Sequence, residues 1–350
     1  MQTQISIDGR AIGPAQRPYI IAEMSANHNG SMDTAFQIIR EAKAAGADAL
    51  KIQTYRPDTI TLDSALPDFQ IKNGLWAGRT LFELYEWAHT PWDWHAPMFQ
   101  FGRELGITMF SSPFDTTAVD LLEDLGTPAY KVASFEAVDL PLIEYIAATG
   151  KPMIISTGIA NQQEIQEALA SARKGGCEQI AILHCVSSYP APSADYNLRT
   201  IPDMAARFGV VTGLSDHTLD NATAIASVAL GASIIEKHFT LDRSGGGPDD
   251  SFSLETSELA SLRRDSETAW NALGEVDYGL RQSENDNLMF RRSLYYTSDM
   301  QAGETIPAHS VRSIRPGFGL PPKHLADVVG SVLRRGVKAS TPVSWDDLIA

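Results

Sequence analysis

Long apolar runs, cysteine and positive charge are scarce in this 350-residue sequence, and each scarcity removes a class of protein. No stretch approaches the ~20 consecutive apolar residues of a membrane-spanning helix. The opening Met1-Gln2-Thr3-Gln4-Ile5-Ser6-Ile7 lacks a charged segment followed by an apolar core. The expectation is a soluble cytoplasmic chain with no membrane partner. Two cysteines, Cys177 and Cys185, are too few for a disulfide framework, and Cys185 lies in an apolar run that suits a small buried hydrophobe. A reducing compartment fits. Lys and Arg number 28 against 43 Asp and Glu, a net charge of −15 that argues against nucleic acid or an anionic membrane as partner. An anionic substrate would need cations gathered locally.

What is present is an alternation of short β-branched runs with longer Ala- and Leu-rich segments of helical spacing, the mark of βα units. The strands are predicted over 19–25, 49–55, 107–114, 129–135, 152–158, 180–186, 211–217 and 233–240. Eight such units suit a TIM (β/α)8 barrel, which takes about 250 residues and leaves room for a small appendix. In the first helix Asp33 is expected to cap, Ala35, Ile38, Ile39 and Ala42 keep helical spacing, and Gly46 stops the run. Ile5–Ile7 and Arg10–Ile12 flank Asp8-Gly9, a hairpin expected to close the bottom of the barrel. The periodicity changes near residue 283. Residues 1–282 read as the barrel, 283–292 as a polar connector, and 293–350 as a small β-rich domain, marginal in size by itself.

The predicted strand ends carry polar side chains that a purely structural barrel does not need. Lys51 and Gln53 share one face of their strand, as do Glu236 and His238 of theirs, so both pairs can face the interior. Glu23, Ser112, Lys131, Ser134 and Ser156 stand at the ends of other strands. A buried lysine is costly without a partner. Two of them among serines suit an anion such as phosphate, while a Lys–Glu pair at the barrel rim is the alternative. His217 and His238 each end an apolar run and form half of a metal site; a core imidazole or a general base is the other reading. Asp216 and Glu236 are nearby ligand or orienting candidates, and Asn27-His28-Asn29-Gly30 is a turn or a substrate contact.

The runs Ile20–Ser31, Lys51–Tyr55, Ser111–Asp115, Lys131–Glu136, His184–Pro190, Gly213–Thr218 and Glu236–Arg243 resemble the sialic acid synthase family across nearly the whole chain. The tail, with Phe290–Leu294 and Ile314–Gly317, is similar to that family's C-terminal antifreeze-like (SAF) domain. Ser25–Ser31, Tyr55–Thr61 and Ala88–His95 look most like the family's pseudaminic acid synthase branch.

The resemblance implies condensation of phosphoenolpyruvate with an amino-sugar aldehyde, here 2,4-diacetamido-2,4,6-trideoxy-L-altrose, to give pseudaminic acid and phosphate. It implies that His217 and His238 hold a divalent metal, Mn2+ or similar. It further implies that Lys51, Lys131, Ser112, Ser134 and Ser156 bind phosphoenolpyruvate, with Gln53 and Tyr189 near them. Glu23 would handle protons, Glu236 would orient the metal-bound group or sugar, and Arg315 would reach the sugar in the opposite subunit of a domain-swapped homodimer. Legionaminic or N-acetylneuraminic acid synthesis is the rival within the family. A non-catalytic carbohydrate-binding protein and a metal hydrolase are the rivals outside it.

Overall fold

The computed structural model describes residues 4–349. The chain falls into two compact units, Met1–Gly274 and Glu275–Ala350. In the first, eight strands form a closed parallel barrel: β3 (Tyr19–Glu23), β4 (Ala49–Thr54), β5 (Thr108–Pro113), β6 (Tyr130–Val132), β7 (Met153–Ser156), β8 (Ile180–Cys185), β9 (Val211–Asp216) and β10 (Ile234–His238). Strand β10 pairs with both β9 and β3, which closes the circle. All eight predicted strands are present, and no helix among the described residues is long and apolar enough to cross a membrane.

The alternation of side chains along each strand divides the apolar residues into two sets. Ile20, Ala22, Leu50, Ile52, Val132, Ile155, Ile182 and Ile235 belong to the core between barrel and helices. Tyr19, Ile21, Ala49, Phe110, Ile154, Ala181, Leu183, Val211 and Ile234 fill the lower interior. Gly213 lies in that inner layer because a Cβ there would meet the Ile234 carbonyl and Leu183. Strands β1 (Ile5–Ile7) and β2 (Arg10–Ile12) pair antiparallel around Asp8 and Gly9, whose φ angles of 49° and 76° are those of a tight hairpin turn. Their Ile5, Ile7 and Ile12 join the inner layer and stopper the N-terminal end of the barrel.

One local expectation is corrected. Helix Met32–Ala44 is capped by Ser31, whose Oγ accepts the Thr34 N–H at 3.2 Å, and Asp33 sits inside the first turn. Asp33 there complements the helix dipole instead of capping.

The second unit pairs β11 (Ser293–Tyr296) with β12 (Val311–Ile314) in antiparallel register. Isolated bridges such as Met300↔Val337 and Leu333↔Leu348 extend it around a core that includes Leu294, Tyr296, Ile306, Val328 and Leu333. Much of the stretch read as a connector is wound into 3-10 turns over Gln282–Phe290, inside this unit.

Candidate active site

The alternation that fills the lower interior with apolar side chains continues upward with polar ones. Two residues beyond Ile21 comes Glu23; beyond Ala49 come Lys51 and Gln53; beyond Phe110, Ser112; beyond Ala129, Lys131; beyond Ile154, Ser156; beyond Ile234, Glu236 and His238. The barrel thus carries an apolar lower half and a charged upper half at its C-terminal mouth, where barrels of this kind do their chemistry.

Four buried charges alternate in sign. Lys51 Nζ lies 2.6 Å from Glu23 Oε2 and 3.7 Å from Glu236 Oε1, and Lys131 Nζ lies 3.9 Å from the same Glu236 oxygen. Lys51 also donates to Ser112 Oγ at 3.3 Å, and Gln53 Nε2 donates to Glu23 Oε1 at 3.2 Å. Burial raises the Glu23 carboxyl to about 6 against the pull of Lys51, helped by the neighbouring Glu236. Burial acts on Glu236 in the same direction, but Lys131, Lys51 and His217 outweigh it, and its pKa is net lowered. Their surroundings therefore push the two carboxylates apart in proton affinity, Glu23 upward and Glu236 downward. Lys131 has one hydrogen-bond acceptor, the Val132 carbonyl at 3.0 Å, and burial lowers its proton affinity. Ser156 Oγ and Glu236 Oε2 are buried with no hydrogen-bond partner. The Ser156 hydroxyl and the Lys131 ammonium are donors suited to an anionic ligand, whereas the open Glu236 oxygen calls for a donor such as a ligand hydroxyl or water.

On the other side of the mouth the His217 and His238 rings lie 5.4 Å apart, with Tyr189 at 4.3 Å from His217 and 6.1 Å from His238. His217 Nδ1 donates to the Val186 carbonyl at 2.8 Å, which leaves Nε2 free of a backbone partner. Burial and the surrounding cations hold His238 well below its ordinary range, hence neutral, and its Nδ1 is buried with no hydrogen-bond partner, 3.9 Å from Asp249 Oδ2. A neutral imidazole is the form that ligates metal, a condition His238 meets; at His217 burial favours the neutral ring, but the neighbouring Cys185 outweighs it and the pKa is net raised. Among the described residues no group of three His, Cys, Asp or Glu is arranged to hold a metal ion, so an ion held by this pair would take its remaining ligands from water and substrate.

Above these groups opens a cavity of about 510 Å3 lined in part by Ser25, Gln53, Glu136, Tyr189, His238 and Asp249. Ser25 donates to Asp249 Oδ2, and Gln53 Nε2 donates to Ser25 Oγ at 3.0 Å, which ties the loops after β3 and β10 to β4. Burial raises Glu136 to about 7, and its Oε2 has no partner. A larger open groove of about 760 Å3 lies on the outer surface, between helices Leu140–Ala147 and Gln162–Lys174. None of the strand-end groups lines it.

Residues 38–278 match the NeuB family and residues 291–349 the SAF domain. The chain belongs to the NeuB family. It is 41% identical over 334 residues to the pseudaminic acid synthase of Helicobacter pylori, covering 95% of this chain and 98% of that protein. The Campylobacter jejuni (serotype O:2) pseudaminic acid synthase is 42% identical, with 95% and 97% covered. The crystal structure of N-acetylneuraminic acid synthetase from Leptospira borgpetersenii, in complex with citrate, superposes with a TM-score of 0.73 at 30% identity, covering 82% of this chain and 95% of that one.

Within this NeuB-family barrel, Glu23, Lys51, Gln53, Ser112, Lys131, Glu236 and the two histidines are placed as the strand parity requires. Ser134 accepts from the Gly158 N–H at 3.2 Å. Tyr189 packs on the histidine side, against His217. Arg315 is exposed in the second unit, its guanidinium 6.0 Å from the Phe290 ring. Asp216 is corrected: its carboxylate takes Lys237 Nζ at 2.8 Å, a pair buried on the outward parity of β9 and β10, and is not a ligand or orienting group for the histidines. The Asn27–Gly30 turn is structural, since Asn27 Nδ2 donates to the Phe239 carbonyl and Ser253 Oγ, and Asn29 Nδ2 to Asp250 Oδ2. Sequence reasoning missed Ser25, Asp249 and Glu136. Only the last carried a local signal, an acidic residue two positions after Ser134.

Proposed function

We propose that this protein condenses phosphoenolpyruvate with 2,4-diacetamido-2,4,6-trideoxy-L-altrose and water to give pseudaminic acid and phosphate. The observation that carries the reading is the buried quartet of Lys51, Lys131, Glu23 and Glu236, with unpartnered Ser156 beside the family's shared barrel mouth. The two pseudaminic acid synthase relatives, matched over 95% of this chain, support the choice of sugar. Lys51, Lys131, Ser112, Ser134 and Ser156 hold the phosphate and carboxylate of phosphoenolpyruvate by charge-assisted hydrogen bonds. Its methylene carbon bonds to the aldehyde carbon, water adds at the carbon bearing phosphate, and that C–O bond breaks to release phosphate. Glu23 moves the protons of water addition and phosphate release, while Gln53 fixes its carboxyl. Glu236 stays ionised and orients the sugar, and Tyr189 braces the histidine side. A divalent ion, in our reading Mn2+, held by His217 and His238, would polarise the aldehyde carbonyl.

We further propose that the enzyme works as a homodimer in which each SAF domain covers the opposite subunit's site and brings Arg315 to the sugar. Free Cys177 and Cys185 support a reducing cytoplasm as its compartment. The test is mass spectrometry and phosphate release with phosphoenolpyruvate and a panel of diacetamido-trideoxyhexoses plus N-acetylmannosamine, with and without chelator. A nonulosonate formed fastest from the altrose isomer is expected. Faster turnover of another sugar would assign the sister reaction, a product lacking pyruvyl carbons would indicate a hydrolase, and no phosphate release with any sugar would leave a binding protein.

A further inference from the structure

Between β4 and β5 the chain leaves the βα plan for a long excursion over residues 55–107. Its helix Leu81–Ala88 is started by a capping box, in which Thr80 accepts the Glu83 N–H at 3.1 Å and its own N–H donates to Glu83 Oε2 at 2.7 Å. Leu81, Leu84, Tyr85 and Ala88 then recur at i, i+3, i+4 and i+7, the spacing of one apolar face. Such a face normally packs into a core, yet none of the four belongs to the core that packs the barrel. All four line the 510 Å3 cavity instead, together with Ile60 and Ile71 from the same excursion. Ile71 is held in place by backbone bonds to Arg79 and Gly78, both at 2.9 Å, and Trp76 Nε1 ties the excursion to the Pro248 carbonyl at 2.9 Å. The excursion thus gives the cavity's lining an aliphatic set, while Gln53, Asn73, Glu136, His238 and Asp249 are among its polar groups. Its volume is within the roughly 300–1,000 Å3 usual for small-molecule sites.

An aliphatic wall continuous with a site for a polyhydroxylated aldehyde is a misfit unless the aldehyde brings apolar groups of its own. We propose that Ile60, Ile71, Leu81 and Leu84 form a subsite for a methyl substituent of the acceptor sugar, and so set a preference for a 6-deoxy aldehyde over its 6-hydroxy counterpart. The inference rests on the condensation proposed above and adds the group that selects among its acceptors. A hydroxyl pressed against this wall loses its water without a replacement partner. Hydrophobic pockets reject an isostere that adds a hydroxyl by about 100-fold at most, so the wild-type preference is expected between about 10- and 100-fold.

The experiment measures kcat/KM for 2,4-diacetamido-2,4,6-trideoxy-L-altrose and for its 6-hydroxy analogue on the same preparation, so that the ratio is independent of the folded fraction. Wild type is compared with Ile71→Thr and Leu81→Thr, both at positions partly open to solvent. A ratio that falls about 5-fold or more in either variant, with the KM for phosphoenolpyruvate unchanged, is the expected result. A wild-type ratio near one, or a ratio unmoved by both substitutions, overturns the subsite while leaving the condensation standing. Failure of wild type to join phosphoenolpyruvate to either sugar overturns the condensation, and the subsite with it.

Discussion

Glu23→Gln is the substitution that tests the charge network most directly. The Glu23 carboxyl, raised by burial to about 6, lies 2.6 Å from the Lys51 ammonium. An anion bound to Lys51 comes within about 4–5 Å of Glu23, where like charges repel by about 3 kcal/mol at an effective dielectric constant near 20. That repulsion raises the Glu23 pKa further in the complex. The ligand prefers protonated Glu23, so affinity is greatest below about pH 6 and weakens as the pH rises above it. Near neutrality Glu23 is therefore more protonated in the complex than before binding, so binding takes up a fraction of a proton. Calorimetry of phosphoenolpyruvate without sugar, in buffers of different ionisation enthalpy, reads this directly. Glu23→Gln keeps an oxygen for Lys51 and should lose both the uptake and up to about 100-fold of pH dependence. Comparing it with wild type cancels the ligand's own ionisation. Parallel affinity profiles for the two proteins would refute the reasoning.

Glu136→Gln should stabilise the fold in a pH-dependent way. Its carboxyl rises from 4.5 to about 7 on folding, so ionisation costs stability progressively from about pH 4.5 to 7, up to about 3 kcal/mol above that interval. Thermal melts should coincide for the two proteins at pH 4 and separate at pH 8; equal separation at both would exclude this cause. His217→Ala and His238→Ala should each weaken Mn2+ binding, read by electron paramagnetic resonance of the free ion. The expected loss exceeds the roughly 10–100-fold seen when only an orienting residue is removed, and unchanged binding in either variant would remove that histidine from the ligand set. Arg315→Ala should raise the sugar KM about tenfold or more and the phosphoenolpyruvate KM less than about twofold. Equal effects on both would end its assignment to the sugar.

The barrel was legible because β-branched runs such as Ala49–Thr54 and Ile180–Cys185 recur between helical segments, and parity alone turned Lys51, Gln53, Glu236 and His238 inward. The same parity, applied to β9, turns Asp216 outward once His217 is taken as inward, so that misplacement was avoidable. Ser31 and Asp33 are both acceptable caps by residue type, and only the hydrogen bond to Thr34 separates them. Asp249 reaches Ser25 across more than two hundred residues, and no local pattern records such a contact. The aliphatic face of Leu81–Ala88 has ordinary core periodicity; that it lines a cavity is a tertiary fact.

The hairpin Ile5–Ile12 that stoppers the lower barrel also has a kinetic meaning for the proposed reaction. With one end closed, reactants share a single route in and out. Lys51 and Lys131 are almost fully buried, whereas the cavity is lined by residues further along the barrel strands, such as Gln53 and His238, nearer the mouth. In the proposed reaction phosphoenolpyruvate is then expected to enter before the sugar. A sugar that arrives first blocks its co-substrate's route, so turnover should slow at high sugar concentration, with the slowing relieved by more phosphoenolpyruvate.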